Sequence, residues 1–371
     1  MAHVRSLFFG GPLSEIGDKT LEAFQKERPS VIIWNITNGC NLLCKHCYVG
    51  ADFHKAEKEL SHEEAMDLVD QIGAAKVPLL FITGGEPLMR PDVWDILAKA
   101  QSYGIKLALS TNAVLIDDEA ADKLLKYGVD YVGISLYGPE EFHDEYVLVP
   151  GTYKRVVAAI KRLQDRGIKV GIKTTVNAAT FPNFFKLIDV AKELGATLIY
   201  PCDLISSGRA VDLHNQRIGK EQWQQIADYM LDDVIKNPNG IEYDIGALPS
   251  IAVYLAERVA EKGLSNEKAI NRLKIKSACP VGKGLMGINS EGYVLPCSFV
   301  QDFNVGNIRD LGVQGAIKKL FEIGKTPVTG KCGDCKYSEM CRGCRVKAYH
   351  ASNDIMGEDF SCILEKEDGV C

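Results

Sequence analysis

Three cysteines in one short stretch, Cys40-x-x-x-Cys44-x-x-Cys47, are the residues of this chain whose types and spacing imply chemistry most directly. Three thiolates so spaced wrap three corners of a cubane iron–sulfur cluster and leave the fourth iron without a protein ligand. The competing readings are a structural zinc site completed by His46 and a ferredoxin-type cluster. Zinc sites usually pair two C-x-x-C units, and ferredoxin runs use tighter repeats with a fourth cysteine. The loop follows an apolar run, Val31–Thr37, so it stands at the C-terminal end of the first strand. Barrels of parallel strands place their reactive groups at that end.

Seven more cysteines gather in the last quarter: Cys279, Cys297, Cys332-x-x-Cys335, Cys341-x-x-Cys344 and Cys362. The bland reading is a zinc ribbon. Five residues between the two C-x-x-C units is short for that motif, and seven cysteines are too many for one zinc. Only Cys202 and Cys371 stand apart, and Cys202 reads most simply as a small buried hydrophobe. No long apolar segment follows Met1, so no signal peptide is expected and disulfides are disfavoured. The expected location is the cytoplasm. A formal charge of −6 lacks the basic footprint that nucleic acid would demand, and apolar stretches such as Pro78–Thr83 are too short to span a bilayer.

Positioning these groups requires a scaffold, and the pattern supplies one. Short β-branched runs occur at Val31–Thr37, Pro78–Thr83, Lys106–Thr111, Tyr131–Leu136, Lys169–Val176 and Leu198–Ile205. Amphipathic helical patterns alternate with them: His62–Lys76, Pro91–Tyr103, Asp117–Tyr127, Thr152–Arg166 and Asn183–Leu194. Several helices run into a stop glycine, at Gly104, Gly128, Gly167 and Gly195. Buried strands alternating with helices predict an α/β fold of parallel units, six in number. Six suffice for an open, partial TIM-like barrel but not for the closed eightfold one. Lys220–Asn237 and Ser250–Lys262 read as bridging helices, and Gly287–Cys297 as a hairpin around Asn289-Ser290-Glu291-Gly292. The expected divisions are an extension over 1–30, the barrel over 31–215, bridging helices over 216–275 and a small cysteine-rich domain over 276–371.

With Tyr48 following Cys47, the first cluster resembles the signature of the radical S-adenosylmethionine (SAM) enzymes. Further short matches end successive strands: Gly84-Gly85-Glu86-Pro87, Ser110-Thr111-Asn112 and Ile134-Ser135-Leu136-Tyr137-Gly138, then Lys173 and Asn177 around strand five. Each alone is an ordinary strand-end polar residue; in order, at one end of consecutive strands, they form a series. The resemblance implies that the open iron of the Cys40, Cys44, Cys47 cluster chelates SAM. It implies SAM contacts at Tyr48, Gly84, Gly85, Glu86, Asn112, Ser135, Lys173, Asn177 and Arg209. It also implies cleavage of SAM to a 5′-deoxyadenosyl radical, driven by a low-potential donor of flavodoxin or ferredoxin type. Tyr137 is a departure, since close relatives usually carry Asp there. No acid or base is nominated.

The C-terminal cysteines resemble the SPASM extension of that family, with two auxiliary four-iron clusters. By that pattern Cys332, Cys335, Cys341 and Cys362 hold the outer cluster. Cys279, Cys297 and Cys344 hold the inner one, whose fourth ligand is open: Cys371, substrate or another group. The spacing departs from many members, which place three residues rather than two between Cys341 and Cys344. Arg345-Val346-Lys347-Ala348-Tyr349 and Asn353-Asp354 resemble the tetrapyrrole branch, whose members act in heme and heme d1 formation. That implies oxidative removal of carboxyl-bearing fragments from an iron tetrapyrrole. The rival is peptide or protein modification, by thioether crosslinking or in the sulfatase-maturase manner, against which the short stretch before strand one counts mildly. An iron–sulfur electron carrier, the third reading, leaves the SAM-contact series without a purpose. Cluster chemistry predicts oxygen sensitivity and an anaerobic or low-oxygen host.

Overall fold

The computed structural model describes residues 3–9, 28–54, 57–264 and 278–364, so Cys371 lies outside the described residues. Six strands follow the expected runs: β1 (Val31–Asn35), β2 (Leu79–Thr83), β3 (Lys106–Thr111), β4 (Val129–Ser135), β5 (Lys169–Val176) and β6 (Leu198–Asp203). A short helix α1 (Val4–Phe8) precedes them. Between them run α2 (His62–Ala74), α3 (Val93–Ser102), α4 (Asp118–Lys126), α5 (Glu140–Val147) and α6 (Thr152–Asp165), with α7 (Phe181–Glu193) before β6.

Local chemistry explains the elements. In α2, Ala65, Leu68, Val69 and Ile72 recur at helical spacing and are buried, while Ser61 and Glu64 close a capping box at its start. Truncating Leu68 to alanine there costs about 2–5 kcal/mol. The four glycines expected to stop helices each adopt a positive φ, from 68° to 73°. In the strands, Ile32, Trp34, Leu80 and Ile82 pack outward under the helices. Their alternates Val31, Ile33, Leu79 and Phe81 face a central cavity, as the two-residue period of a strand requires.

The sheet has nine strands in the order β7-β6-β5-β4-β3-β2-β1-β8-β9 and does not close. Strand β7 (Glu242–Tyr243) follows α8 (Lys220–Lys236) and pairs parallel with β6; α9 (Pro249–Glu261) comes next. Strands β8 (Leu285–Ile288) and β9 (Val294–Leu295) form the expected hairpin. The sequence pattern missed that β8 also pairs parallel with β1, Val31 opposite Leu285, so the hairpin extends the barrel wall. It also missed α5, which follows β4 without an apolar run long enough to announce it. The C-terminal region adds α10 (Ile308–Lys325), α11 (Gly330–Asp334) and α12 (Arg345–Ser352). Helix α1 is pinned near α8 and β7, where Arg5 donates to the carbonyls of Gly240, Asn237 and Ile241. No helix among the described residues is long and apolar enough to cross a membrane.

Candidate active site

A cavity of about 590 Å³ occupies the interior of the open barrel. Cys40, Cys44, Cys47, Tyr48, Gly84, Gly85, Asn112, Ser135 and Lys173 line it, as do Cys202 and, from the second cysteine region, Cys279. All described cysteines are free thiols. Among the described residues no three His, Cys, Asp or Glu side chains gather tightly enough to hold a single metal ion. The zinc readings find no donor set there. Thiolates at the corners of a cubane stand further apart than ligands of one ion.

Backbone packing shapes the Cys40–Cys47 loop. A Cβ on Gly85 would lie 2.3 Å from the Gly39 carbonyl oxygen, and one on Gly84 2.6 Å from that of Thr37. The two glycines thus let the end of β2 press against the backbone that leads into Cys40. From the other side, Arg209 donates from Nε to the Cys44 carbonyl at 3.0 Å and from Nη1 to that of Ala51 at 2.6 Å. Arg209 is therefore a clamp on the cysteine loop and does not line the cavity.

Two further residues of the expected SAM-contact series also lie outside the cavity lining. Glu86 is fully buried and accepts the Asn112 backbone N–H at 2.9 Å, the Leu88 N–H at 3.1 Å and the Thr111 hydroxyl at 2.8 Å. Burial pushes its carboxyl up to about 7 against those three donors. Asn177, also fully buried, donates to the Tyr146 hydroxyl at 2.7 Å. Tyr146 stacks on His46, ring centroids 4.8 Å apart, and His46 in turn meets the Tyr137 hydroxyl through Nε2 at 2.9 Å. Burial pushes His46 down to about 3, so its imidazole is neutral. The Tyr137 substitution thus has a partner, His46 inside the cysteine loop, that sequence reasoning did not find.

Asn112 and Lys173 do face the cavity. The Asn112 amide donates to Asn41 Oδ1 at 2.7 Å, orienting it over the loop. Lys173, opposite Ser135 in the β4–β5 register, donates to the Ser110 hydroxyl at 2.7 Å, and burial lowers its pKa. Tyr48 reaches across to Phe299, edge to face at 4.9 Å, and so joins the first cysteine loop to the second cysteine region.

That second region sorts its thiols into two neighbourhoods. Cys297 stands within electrostatic reach of Cys279 and Cys344, and Cys341 within reach of Cys332 and Cys362. Backbone N–H groups of Tyr337, Gly343 and Asp359 donate to the sulfurs of Cys335, Cys341 and Cys332 at 3.3–3.4 Å. Arg345 is fully buried, has no carboxylate partner among the described residues, and donates from Nε and Nη1 to the carbonyls of Gly343, Ile355 and Gly357. A Cβ on Gly343 would lie 2.6 Å from the Arg345 Nη2 and 2.7 Å from Cys332 Sγ, so cation and thiol crowd one point. A buried guanidinium with carbonyls but no carboxylate beside it is costly, and an anionic iron–sulfur cluster at Cys332 would relieve it. The residues present fit such a group.

Residues 34–195 match the Radical SAM superfamily, and residues 279–345 match an iron-sulfur cluster-binding domain, SPASM. Over 338 residues the sequence is 30% identical to the AdoMet-dependent heme synthase of Nitratidesulfovibrio vulgaris, covering 90% of this chain and 91% of that one. The chain belongs to the radical SAM superfamily.

As a radical SAM enzyme with a SPASM domain, it binds SAM and a four-iron cluster in the barrel, and auxiliary iron–sulfur clusters at its C-terminal side. A second relative, the pre-heme d1 synthase of Dinoroseobacter shibae, is 29% identical over 350 residues, covering 90% of this chain and 86% of that one. Among solved structures, Streptococcus suis SuiB bound to precursor peptide SuiA superposes with a TM-score of 0.72 at 17% identity, covering 93% of this chain and 79% of that one. That likeness shows the shared fold: a partial barrel carrying a SPASM domain.

Proposed function

We propose that this enzyme oxidatively removes carboxyl-bearing side-chain fragments from an iron tetrapyrrole in heme formation. One observation carries the reading: a single cavity runs from the Cys40, Cys44, Cys47 loop to Cys279 of the second cysteine region. A substrate in it touches both the source of the radical and an auxiliary cluster. Losing carbon dioxide to form an alkene after hydrogen abstraction requires one further electron to leave, and an inner cluster held by Cys279, Cys297 and Cys344 would receive it. The names of the relatives, a heme synthase and a pre-heme d1 synthase, support the same substrate class.

When bound to a reduced four-iron cluster, SAM supplies a 5′-deoxyadenosyl radical. The residues of this chain do the rest. Cys40, Cys44 and Cys47 hold that cluster; Tyr48, Gly84, Gly85, Asn112, Ser135 and Lys173 contact SAM. Glu86, Asn177 and Arg209 act one layer back, fixing Asn112, the His46 stack and the cysteine loop. Phe81, Tyr131 and Tyr200 wall the cavity with rings that suit a flat macrocycle and exclude water. Cys279, Cys297 and Cys344 hold the inner auxiliary cluster, and Cys332, Cys335, Cys341 and Cys362 the outer one. The divisions that go with these roles are the barrel over 31–215, bridging helices over 216–275 and the auxiliary-cluster domain over 276–371. A flavodoxin or ferredoxin serves as donor, in the cytoplasm, with nucleic acid taking no part.

The test is anaerobic reconstitution with SAM, reductant and an iron–coproporphyrin or decarboxylated siroheme. A product lighter by carboxyl-derived fragments is the expected result. SAM cleavage that ignores both tetrapyrroles would move the substrate search to peptides, the second reading.

A further inference from the structure

The turn from Cys279 to Gly284 joins the second cysteine region to β8, and it wraps a cation. Arg342 is 6% exposed and donates from Nη1 to the carbonyls of Cys279 and Val281, at 3.0 and 3.1 Å. Lys283 stands two residues past Val281 in the same turn, its backbone N–H bonded to the Pro280 carbonyl at 2.9 Å. Lys283 lines the cavity together with Cys279, and its charge acts on the Cys279 thiol. Neither Lys283 nor Arg342 has a carboxylate within ion-pair distance among the described residues, and the charge of Arg342 works against that of Lys283.

Two like charges gathered at one thiol, one of them buried, are unfavourable unless a counter-charge completes the site. Lys347, the next cation along, shows the contrast. It is 9% exposed but lies against the Asp203 carboxylate at 2.5 Å and donates to the Ser361 hydroxyl at 2.8 Å. Its charge is met at contact distance, although it also acts on Cys344. Lys283 faces the Glu339 carboxylate only beyond ion-pair distance, Arg342 meets carbonyls alone, and the thiol that both adjoin is Cys279. A four-iron cluster held by thiolates is an anion, and positive charge beside it stabilises the reduced form further.

We infer that Lys283 and Arg342 form a cationic pair that raises the reduction potential of the inner auxiliary cluster, making it the acceptor for the electron that leaves the substrate. The inference rests on the assignment of Cys279, Cys297 and Cys344 to that cluster and on the oxidative reading above. The balance is one electron: the substrate radical gives it up as carbon dioxide leaves and the double bond forms. A cluster held by Cys279, Cys297 and Cys344 would take up that electron and pass it to a one-electron carrier of flavodoxin or ferredoxin type. Lys283 and Arg342 are positioning residues in this scheme, acting through the cluster.

The experiment is a potentiometric titration of the fully iron-loaded enzyme, followed by electron paramagnetic resonance. Lys283→Gln, whose side chain makes no ion pair among the described residues, is expected to lower the midpoint of one auxiliary cluster and leave the other two clusters unmoved. Arg342→Gln is expected to lower the same midpoint, and Arg342→Lys to keep it near the parent value. Unchanged midpoints in both glutamine variants at full iron content would overturn the inference, as would an equal drop in Arg342→Lys. If Arg342→Gln does not fold, Lys283→Gln decides alone. A Cys279→Ala protein that retains the iron of both auxiliary clusters would instead overturn the ligand assignment.

Discussion

The Glu86 carboxylate lies beneath Asn112 and ties the end of β2 to the end of β3, accepting the Asn112 backbone N–H at 2.9 Å and the Thr111 hydroxyl at 2.8 Å. Asn112 in turn reaches Asn41 in the cysteine loop. A residue that never meets the cavity thus sets the height of one that does. Glu86→Ala strands buried donors and is expected to cost roughly 3 kcal/mol, since each unsatisfied buried group costs about 1–3 kcal/mol. Urea unfolding measures it. A loss below about 1 kcal/mol would mean that water replaces the carboxylate.

The same group gives the fold a pH dependence. Its carboxyl is pushed from the ordinary 4.5 up to about 7 by burial. Between those values the folded chain holds a proton that the unfolded chain has released. Stability from this group is therefore fully present below about pH 4.5 and is lost as pH rises through about 7. Glu86→Gln, which cannot ionise, is expected to show a shallower decline over that window. Parallel slopes for the two proteins would show that Glu86 is ionised throughout.

Arg209 clamps two carbonyls of the cysteine loop with charge-assisted bonds. Replacing it with glutamine is expected to lower the iron retained by the first cluster and to slow SAM cleavage at least tenfold, the equivalent of about 1.4 kcal/mol. Lysine cannot reproduce the planar fork and is expected to rescue only part of that. Iron content per chain, read beside the rate, separates loop disorder from lost SAM contact. Normal iron with slow cleavage would place Arg209 on SAM.

Gly85→Ala sets a methyl group 2.3 Å from the Gly39 carbonyl oxygen, backbone against backbone. The expected cost is about 1–3 kcal/mol, typical of overpacking, with weakened iron binding at adjacent Cys40. Unchanged stability and iron content would show that the loop yields freely.

Tyr137→Phe removes the one hydrogen bond that the His46 ring makes among the described residues, leaving both buried nitrogens unpaired. A loss of about 1–3 kcal/mol is expected in unfolding experiments. A neutral effect would indicate a buried water at the imidazole.

The barrel was legible because each strand–helix unit repeats the same local physics, an apolar run of strand length, an amphipathic helix and a glycine stop. Helix α5 and strand β7 escaped because one begins with a run of charge and the other spans only Glu242 and Tyr243. The pairing of β8 with β1 is a contact across some 250 residues, fixed by tertiary packing and invisible to periodicity. At the site, cysteine spacing announced itself, since metal ligands are set by residue type. The division between residues that face the cavity and residues that support it did not. Glu86, Asn177 and Arg209 carry functional chemistry by type, and only the fold shows that they do not line the cavity and instead bond Asn112, Tyr146 and the cysteine loop. Arg342 and Arg345 look like ordinary surface charges in a sequence; their burial without carboxylates is a property of the fold.

The most direct test of the account is the yield of 5′-deoxyadenosine from the anaerobically reconstituted enzyme with SAM and a strong reductant, compared with and without iron–coproporphyrin. The account predicts a yield that rises sharply with the tetrapyrrole, in step with a product lighter by carboxyl-derived fragments, and that vanishes in Cys40→Ala. A yield that is unaffected by iron–coproporphyrin and by decarboxylated siroheme, at full iron loading, would contradict it.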